Sequence, residues 1–164
     1  MTTRPFMAER YELGAATIVR LPASDAVKLG TALAAIDPWA THGYPPSRLA
    51  AYLADDEPNA PRFALKAGDE IAGGIGLRLN WLRGPYLQFL GILPAFQRRR
   101  LGRLVLDWIE QEARADNVRN VWVCASDFNE GAIAFYERTG FVRVANLEDL
   151  VSDGRAEVLL RKRL

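Results

Sequence analysis

Residues 90–106 read LGILPAFQRRRLGRLVL. An apolar run closes on a proline, a short basic loop follows, and Leu101, Leu104, Val105, Trp108 and Ile109 then recur at helical spacing. This is a strand, a turn and an amphipathic helix. The strand, PYLQFLGIL, is nearly continuously apolar and so is expected to be buried on both faces. VRNVWVCAS has the same character and lies beyond the helix. A strand-helix-strand unit from about 85 to 126 implies two parallel neighbours in one sheet.

The elements outside this unit predict antiparallel neighbours. ATIVRL is a candidate strand, and Ser24 or Asp25 is placed to cap a helix running to about Ile36, where Asp37-Pro38 stops it. DPWATHGYPP is an aromatic-rich loop, and Ser47 is placed to cap a short helix after it. RFALKAGDEIAGGIGLRL holds two β-rich runs around Gly68-Asp69, a hairpin pattern. NEGAIAFYERTG is helical and ends at Gly140, and FVRVANL and RAEVLLRKRL close the chain as strands. No repeat, low-complexity tract or long linker divides the chain, so residues 1–164 are expected to form one domain.

Charge limits what the arginines can serve. Lysine plus arginine number 21 against 20 acidic residues, so the whole molecule does not attract a polyanion. The single Cys124 excludes an intrachain disulfide, and with the single His42 it cannot supply a Cys/His zinc site. No metal is expected, and a reducing cytoplasm is the expected location. The start, MTTRPFMAER, lacks the apolar core of a signal peptide. GPYLQFLGILPAF is shorter than the roughly 18 apolar residues of a membrane-spanning helix, so no membrane is expected as a partner.

In this architecture the loop 97–103 sits where the first free backbone N–H groups of a helix form an anion site. Arg99, Arg100 and Arg103 lie at the helix N-terminus, whereas Asp107, Glu110, Glu112 and Asp116 lie further on, the reverse of what the helix dipole prefers. Pairs Arg103–Asp107 and Glu110–Arg114 at i,i+4 offset part of that cost, and a bound phosphate would offset more. A solvated cluster and a nucleic-acid groove are the other readings. The groove needs more cations or stacking rings on that face, and the helix supplies acids instead.

Gln97, Arg100 and Gly102 occupy the three defining positions of a [Gln/Arg]-x-x-Gly-x-[Gly/Ala] pattern, with Arg100 in place of the first glycine. The segment thus resembles the acyl-CoA-binding motif of the GCN5-related N-acetyltransferases (the GNAT family). Residues 129–141, NEGAIAFYERTGF, resemble that family's Asn-x-x-Ala-x-x-x-Tyr-x-x-x-Gly-Phe segment at every defining position. The resemblance implies an α/β (α+β) GNAT fold: one mixed, mostly antiparallel sheet of about six to seven strands with one central parallel pair, flanked by about four helices.

The resemblance also implies an activity: acetyl transfer from acetyl-CoA, as co-substrate, to a primary amine by direct attack in a ternary complex. A non-catalytic acyl-CoA-sensing module of the same fold is the alternative. The thioester oxygen needs a donor where negative charge develops. By resemblance that donor is the backbone N–H of Ile92, in the segment Leu90, Gly91 and Ile92 that takes the pantetheine arm, with Gly91 permitting a bulge or close ligand approach. Tyr136 matches the residue that protonates the departing thiolate. The loop Gln97, Arg98, Arg99, Arg100, Leu101, Gly102 and Arg103 corresponds to the pyrophosphate cradle, and Asn129, Ala132 and Tyr136 complete the cofactor-binding set.

For the acceptor, a small-molecule amine or a protein N-terminus, the candidate lining residues are Trp39, His42, Tyr44, Tyr86 and Gln88, with His42 read as a loop histidine in solvent. No carboxylate stands out as the base. No nucleic acid is expected as a partner, and a monomer or homodimer is expected.

Overall fold

The computed structural model describes residues 3–164; Met1 and Thr2, the start of the N-terminal arm, lie outside the described residues. The strands are β1 (Arg10–Glu12), β2 (Thr17–Arg20), β3 (Arg62–Ala67), β4 (Glu70–Trp81), β5 (Gly84–Ile92), β6 (Asn120–Ser126), β7 (Val142–Glu148) and β8 (Ala156–Arg163). The helices are α1 (Ala23–Ala34), α2 (Trp39–His42), α3 (Pro46–Ala54), α4 (Leu101–Ala115) and α5 (Glu130–Arg138). One sheet holds the strands in the order β1-β2-β3-β4-β5-β6-β8-β7, and only β5 and β6 pair in parallel.

The sheet has eight strands where six to seven are expected, because the N-terminal arm supplies β1 against β2. The fifth helix is α2, a single turn inside the segment expected to be a loop. Neither expected side-chain cap forms. Pro22 and Pro45 are the N-cap residues of α1 and α3, so Ser24, Asp25 and Ser47 fall inside the first turns. A proline's fixed φ starts a helix without a side-chain acceptor.

Helices cover both faces. Val105, Ile109, Ile133 and Tyr136 from α4 and α5 pack on Leu65, Ile75, Leu77 and Val123 of the sheet. On the other face Leu29 and Leu33 of α1, Trp39 of α2 and Leu49 and Leu53 of α3 enclose Phe89. Covering on both faces is why β5 and β6 read as continuously apolar.

The feature that shapes the site is a bulge in β5. Leu87 pairs with Leu77 and Phe89 with Gly76, so Gln88 has no partner on β4. A residue inserted in this way bends its strand and increases the local twist. Pairing with β6 stops at the same place, being limited to Tyr86↔Trp122 and Leu87↔Val123. Beyond Leu87 the two parallel strands splay. The expected bulge at Gly91 is therefore corrected to Gln88. Gly91 is needed for close packing instead, since a Cβ there would lie 2.6 Å from Leu33 Cδ2 and 2.9 Å from the Trp39 ring.

Candidate active site

The splay leaves one edge of β5 without a partner. Leu93 N–H donates to Ala72 O, so 93, 91 and 89 direct their backbone groups at β4. The alternate residues, Leu90 and Ile92, direct theirs into the gap. The Ile92 carbonyl confirms the orientation, because it accepts from Gln97 Nε2 at 2.9 Å. Gln97 is thus occupied as a latch between the loop and the strand. A cleft of about 300 Å³ opens at the gap, bordered by Trp39, His42, Tyr44, Tyr86, Gln88 and Leu90 on one side and by Cys124, Ser126, Asn129, Ala132, Tyr136 and Glu157 on the other.

At the end of β5, a 3-10 turn (Pro94–Phe96) leads into the basic loop. Arg100 is the N-cap residue of α4, so the free amides at the helix start are those of Leu101, Gly102 and Arg103. Arg98, Arg99 and Arg100 are exposed, Arg99 lies over the Phe96 ring at 5.2 Å, and Arg103 pairs with Asp107 at 2.9 Å. Gly102 lets α4 approach α5, since a Cβ there would meet Phe135 Cζ at 3.1 Å.

Arg100 has φ 60° and ψ 18°, and Arg98 has φ 61°. Both are in the left-handed region, where a Cβ costs roughly 1–2 kcal/mol. Arg100 therefore bears strain at the position where the motif has glycine. Arg100→Gly should raise stability by about 0.5–1 kcal/mol, the relief exceeding the added chain entropy of glycine. Urea unfolding checks this, and a lower midpoint would mean that the arginine side chain holds the loop.

On the facing wall, Asn129 caps α5, its Oδ1 accepting from Ala132 N–H at 3.3 Å. Nearly two turns on, Tyr136 returns to the same side of the helix. Gly140 ends the element at φ 97°, and Phe141 re-enters the core. Tyr136 is 7% exposed, and its hydroxyl makes no hydrogen bond to protein among the described residues. It is also absent from the polar atoms sealed without a partner, so it faces the cleft. Burial, and secondarily Cys124, push its pKa above that of an ordinary tyrosine, which keeps it protonated. Burial likewise raises Tyr86 and Cys124.

At the acceptor end Trp39 stacks on Phe89 at 4.4 Å, and Tyr52 donates to Gln88 Oε1 at 3.1 Å. His42 is not in solvent, contrary to expectation. Its side chain is 4% exposed, packed against Tyr44 and Phe128, with Nε2 2.8 Å from Ser126 Oγ and Nδ1 2.6 Å from Ser152 Oγ. Ser126 in turn donates to Glu157 Oε1 at 2.7 Å. Sequence reasoning misses Ser126, Ser152 and Glu157. Glu157 alternates with the apolar Ala156 and Val158, the pattern of a strand's solvent face, yet it is buried opposite Ser126 of β6. Residues 54–61, ADDEPNAP, line a different groove, and Glu57 there pairs with Arg78.

The model of the acetyltransferase (GNAT) family matches residues 29–141, which carry both motifs and most of the cleft. No curated protein sequence matches the chain. Three solved structures show related folds. An acetyltransferase from Thermus thermophilus is 22% identical, with 94% of this chain and 100% of that one covered and a TM-score of 0.72. The ribosomal-protein-S18-alanine N-acetyltransferase from Escherichia coli is 22% identical, with 90% and 93% covered and a TM-score of 0.69. Nourseothricin acetyltransferase is 22% identical over 66% of this chain and 67% of that one, with a TM-score of 0.59.

Proposed function

The chain belongs to the acetyltransferase (GNAT) family, and from that premise we propose that it transfers the acetyl group of acetyl-CoA to a primary amine by direct attack in a ternary complex. The observation that carries this reading is the unpaired edge of β5 facing the free Tyr136 hydroxyl across one cleft. In this reading residues 1–164 act as one catalytic domain. The backbone groups of Leu90 and Ile92 hold the pantetheine arm as an added strand would be held. The Ile92 N–H, or its neighbour Leu90 N–H on the same edge, points where the thioester oxygen gains charge. The amides of Leu101, Gly102 and Arg103 take the pyrophosphate, with Arg98, Arg99 and Arg100 supplying charge-assisted bonds. Tyr136 donates to the departing sulfur.

The acceptor enters between α2 and the β7–β8 loop, whose Leu150 and Val151 are exposed at the cleft mouth. Either a small amine or a protein N-terminus fits this entrance. Among the structural relatives, one acts on nourseothricin and another on an alanine of ribosomal protein S18.

Acetyl-CoA at about 100 times its Kd should stabilise the folded chain by about 2.7 kcal/mol, and thiol should be released with some member of an amine and peptide panel. Stabilisation without release from any acceptor would favour an acyl-CoA-sensing module. Absence of stabilisation at millimolar acetyl-CoA would remove both readings.

A further inference from the structure

We infer that Glu157 is the base that takes the proton of the acceptor ammonium, held for that role by Ser126 and His42; this assignment rests on the amine-acetylation reading above. Glu157 on β8 lies directly opposite Ser126 on β6, so the two side chains share the sheet face that borders the cleft. The residue is 8% exposed. Its Oε1 accepts the Ser126 hydroxyl hydrogen at 2.7 Å and lies 3.4 Å from His42 Nε2. Because Ser126 gives its only hydrogen to Glu157, its oxygen is left to accept from His42 Nε2–H. The neutral ring therefore carries its hydrogen on Nε2, and Nδ1 accepts from the Ser152 hydroxyl.

The other carboxylate oxygen is free. Oε2 makes no hydrogen bond among the described residues, yet it is not among the polar atoms sealed away from solvent. It therefore opens on the cleft that also contains Tyr136 and Leu90. Among the described residues no lysine or arginine pairs with Glu157, and the nearest side-chain nitrogen is His42 Nε2 at 3.4 Å. Cys124 from β6 and Tyr86 from β5 are titratable neighbours of Glu157, Tyr136 from α5 lines the same cleft, Asp127 accepts from the adjacent Ala156 N–H at 3.0 Å, and β7 opposes Glu157 with Leu147. A buried carboxylate with one unpaired oxygen is costly unless a cation arrives to meet it, and a primary ammonium is that cation.

The proton balance is complete with these groups. The ammonium gives one proton to Glu157 Oε2, and the freed lone pair forms the N–C bond to the thioester carbonyl carbon. As the C–S bond breaks, sulfur takes the Tyr136 proton, and the second nitrogen proton restores the tyrosine. Glu157 returns its proton to solvent with the product.

Glu157→Gln keeps the shape and the Ser126 hydrogen bond and removes the base. With an amine that the wild type acetylates, kcat should fall by about 10²–10⁴-fold, while thermal stabilisation by acetyl-CoA stays at the wild-type value. The deficit should narrow as pH rises toward the pKa of the amine itself, because an amine that arrives neutral needs no base. Ser126→Ala, which keeps the carboxylate but loses its anchor, should lower kcat by a smaller factor than Glu157→Gln does. A Glu157→Gln enzyme with wild-type kcat, or with a deficit that pH does not change, would overturn the assignment while leaving amine acetylation in place. If Glu157→Gln does not fold, Ser126→Ala with unchanged kcat overturns it. A wild type that acetylates no amine removes the parent reading and this one together.

Discussion

Replacement of Tyr136 by phenylalanine is expected to lower kcat by about 10²–10⁴-fold with little change in acetyl-CoA binding. The ring is enclosed by Phe135 and Phe141, at centroid distances of 5.3 and 5.6 Å, and phenylalanine preserves those contacts. What disappears is one hydroxyl that has no protein partner among the described residues and faces the cleft. Its removal leaves no orphaned group, so folding stability should be unchanged or slightly higher.

The chemistry has more to lose. Burial holds the Tyr136 pKa well above that of a thiol, so outright transfer to the thiolate is uphill unless a second proton replaces the first. The amine nitrogen carries that replacement once the N–C bond has formed. Tyr136 therefore acts as a donor that is neutral before and after the step, and raising its pKa protects the neutral form. Pre-steady-state thiol release separates the outcomes. A slowed chemical step with intact acetyl-CoA stabilisation supports the acid role, whereas weakened acetyl-CoA binding with unchanged kcat would make Tyr136 a packing residue.

How much of this is legible in the sequence follows from how local each feature is. The turn at 93–100, the helix α4 and the capped helix α5 depend on neighbours within a few residues, and their spacing states them directly. So does the parallel pair, because a strand-helix-strand order leaves little choice. Glycine's tolerance of irregular backbone points to a bulge at Gly91, but the insertion falls at Gln88, where pairing to β4 slips by one residue. Nothing in QFL marks that slip, which is a property of two strands rather than one.

The acceptor end is least legible for the same reason. His42 contacts Ser126 and Ser152 across 84 and 110 residues, and Ser126 contacts Glu157 across 31. A carboxylate on a closing strand of alternating polarity looks solvated until the neighbouring strand is known. Arg100 marks a different limit. The pattern shows that it departs from glycine, but only its φ shows that the departure carries strain.

The second large effect is expected from Gly73→Ala, a change in β4 that removes no polar or charged side chain. A Cβ on Gly73 would lie 2.1 Å from the carbonyl oxygen of Gly91 and 3.2 Å from Ile92 Cα. Both are backbone atoms of β5, so no rotamer change can relieve the clash, and β4 and β5 must move apart. Gly73 stands beside Ala72, the residue skipped in pairing with β3, and this irregularity brings its missing side chain against the neighbouring strand. Retreat of β5 is blocked at the same point, because Gly91 is already packed on Leu33 and Trp39. Overpacking of this kind costs typically 1–3 kcal/mol, and with backbone on one side and packed rings on the other the upper value, about 3 kcal/mol, is expected.

The residues displaced are the flanks of Gly91, namely Leu90 and Ile92, whose outward backbone groups form the open edge. Gly73→Ala should therefore reduce the urea midpoint and, in the fraction that remains folded, reduce stabilisation by acetyl-CoA as well. Tyr136→Phe should leave both measurements nearly unchanged. A Gly73→Ala protein that loses less than about 1 kcal/mol and responds normally to acetyl-CoA would show that β4 and β5 can separate without disturbing that edge. In that case the close approach of the two strands is not what aligns it.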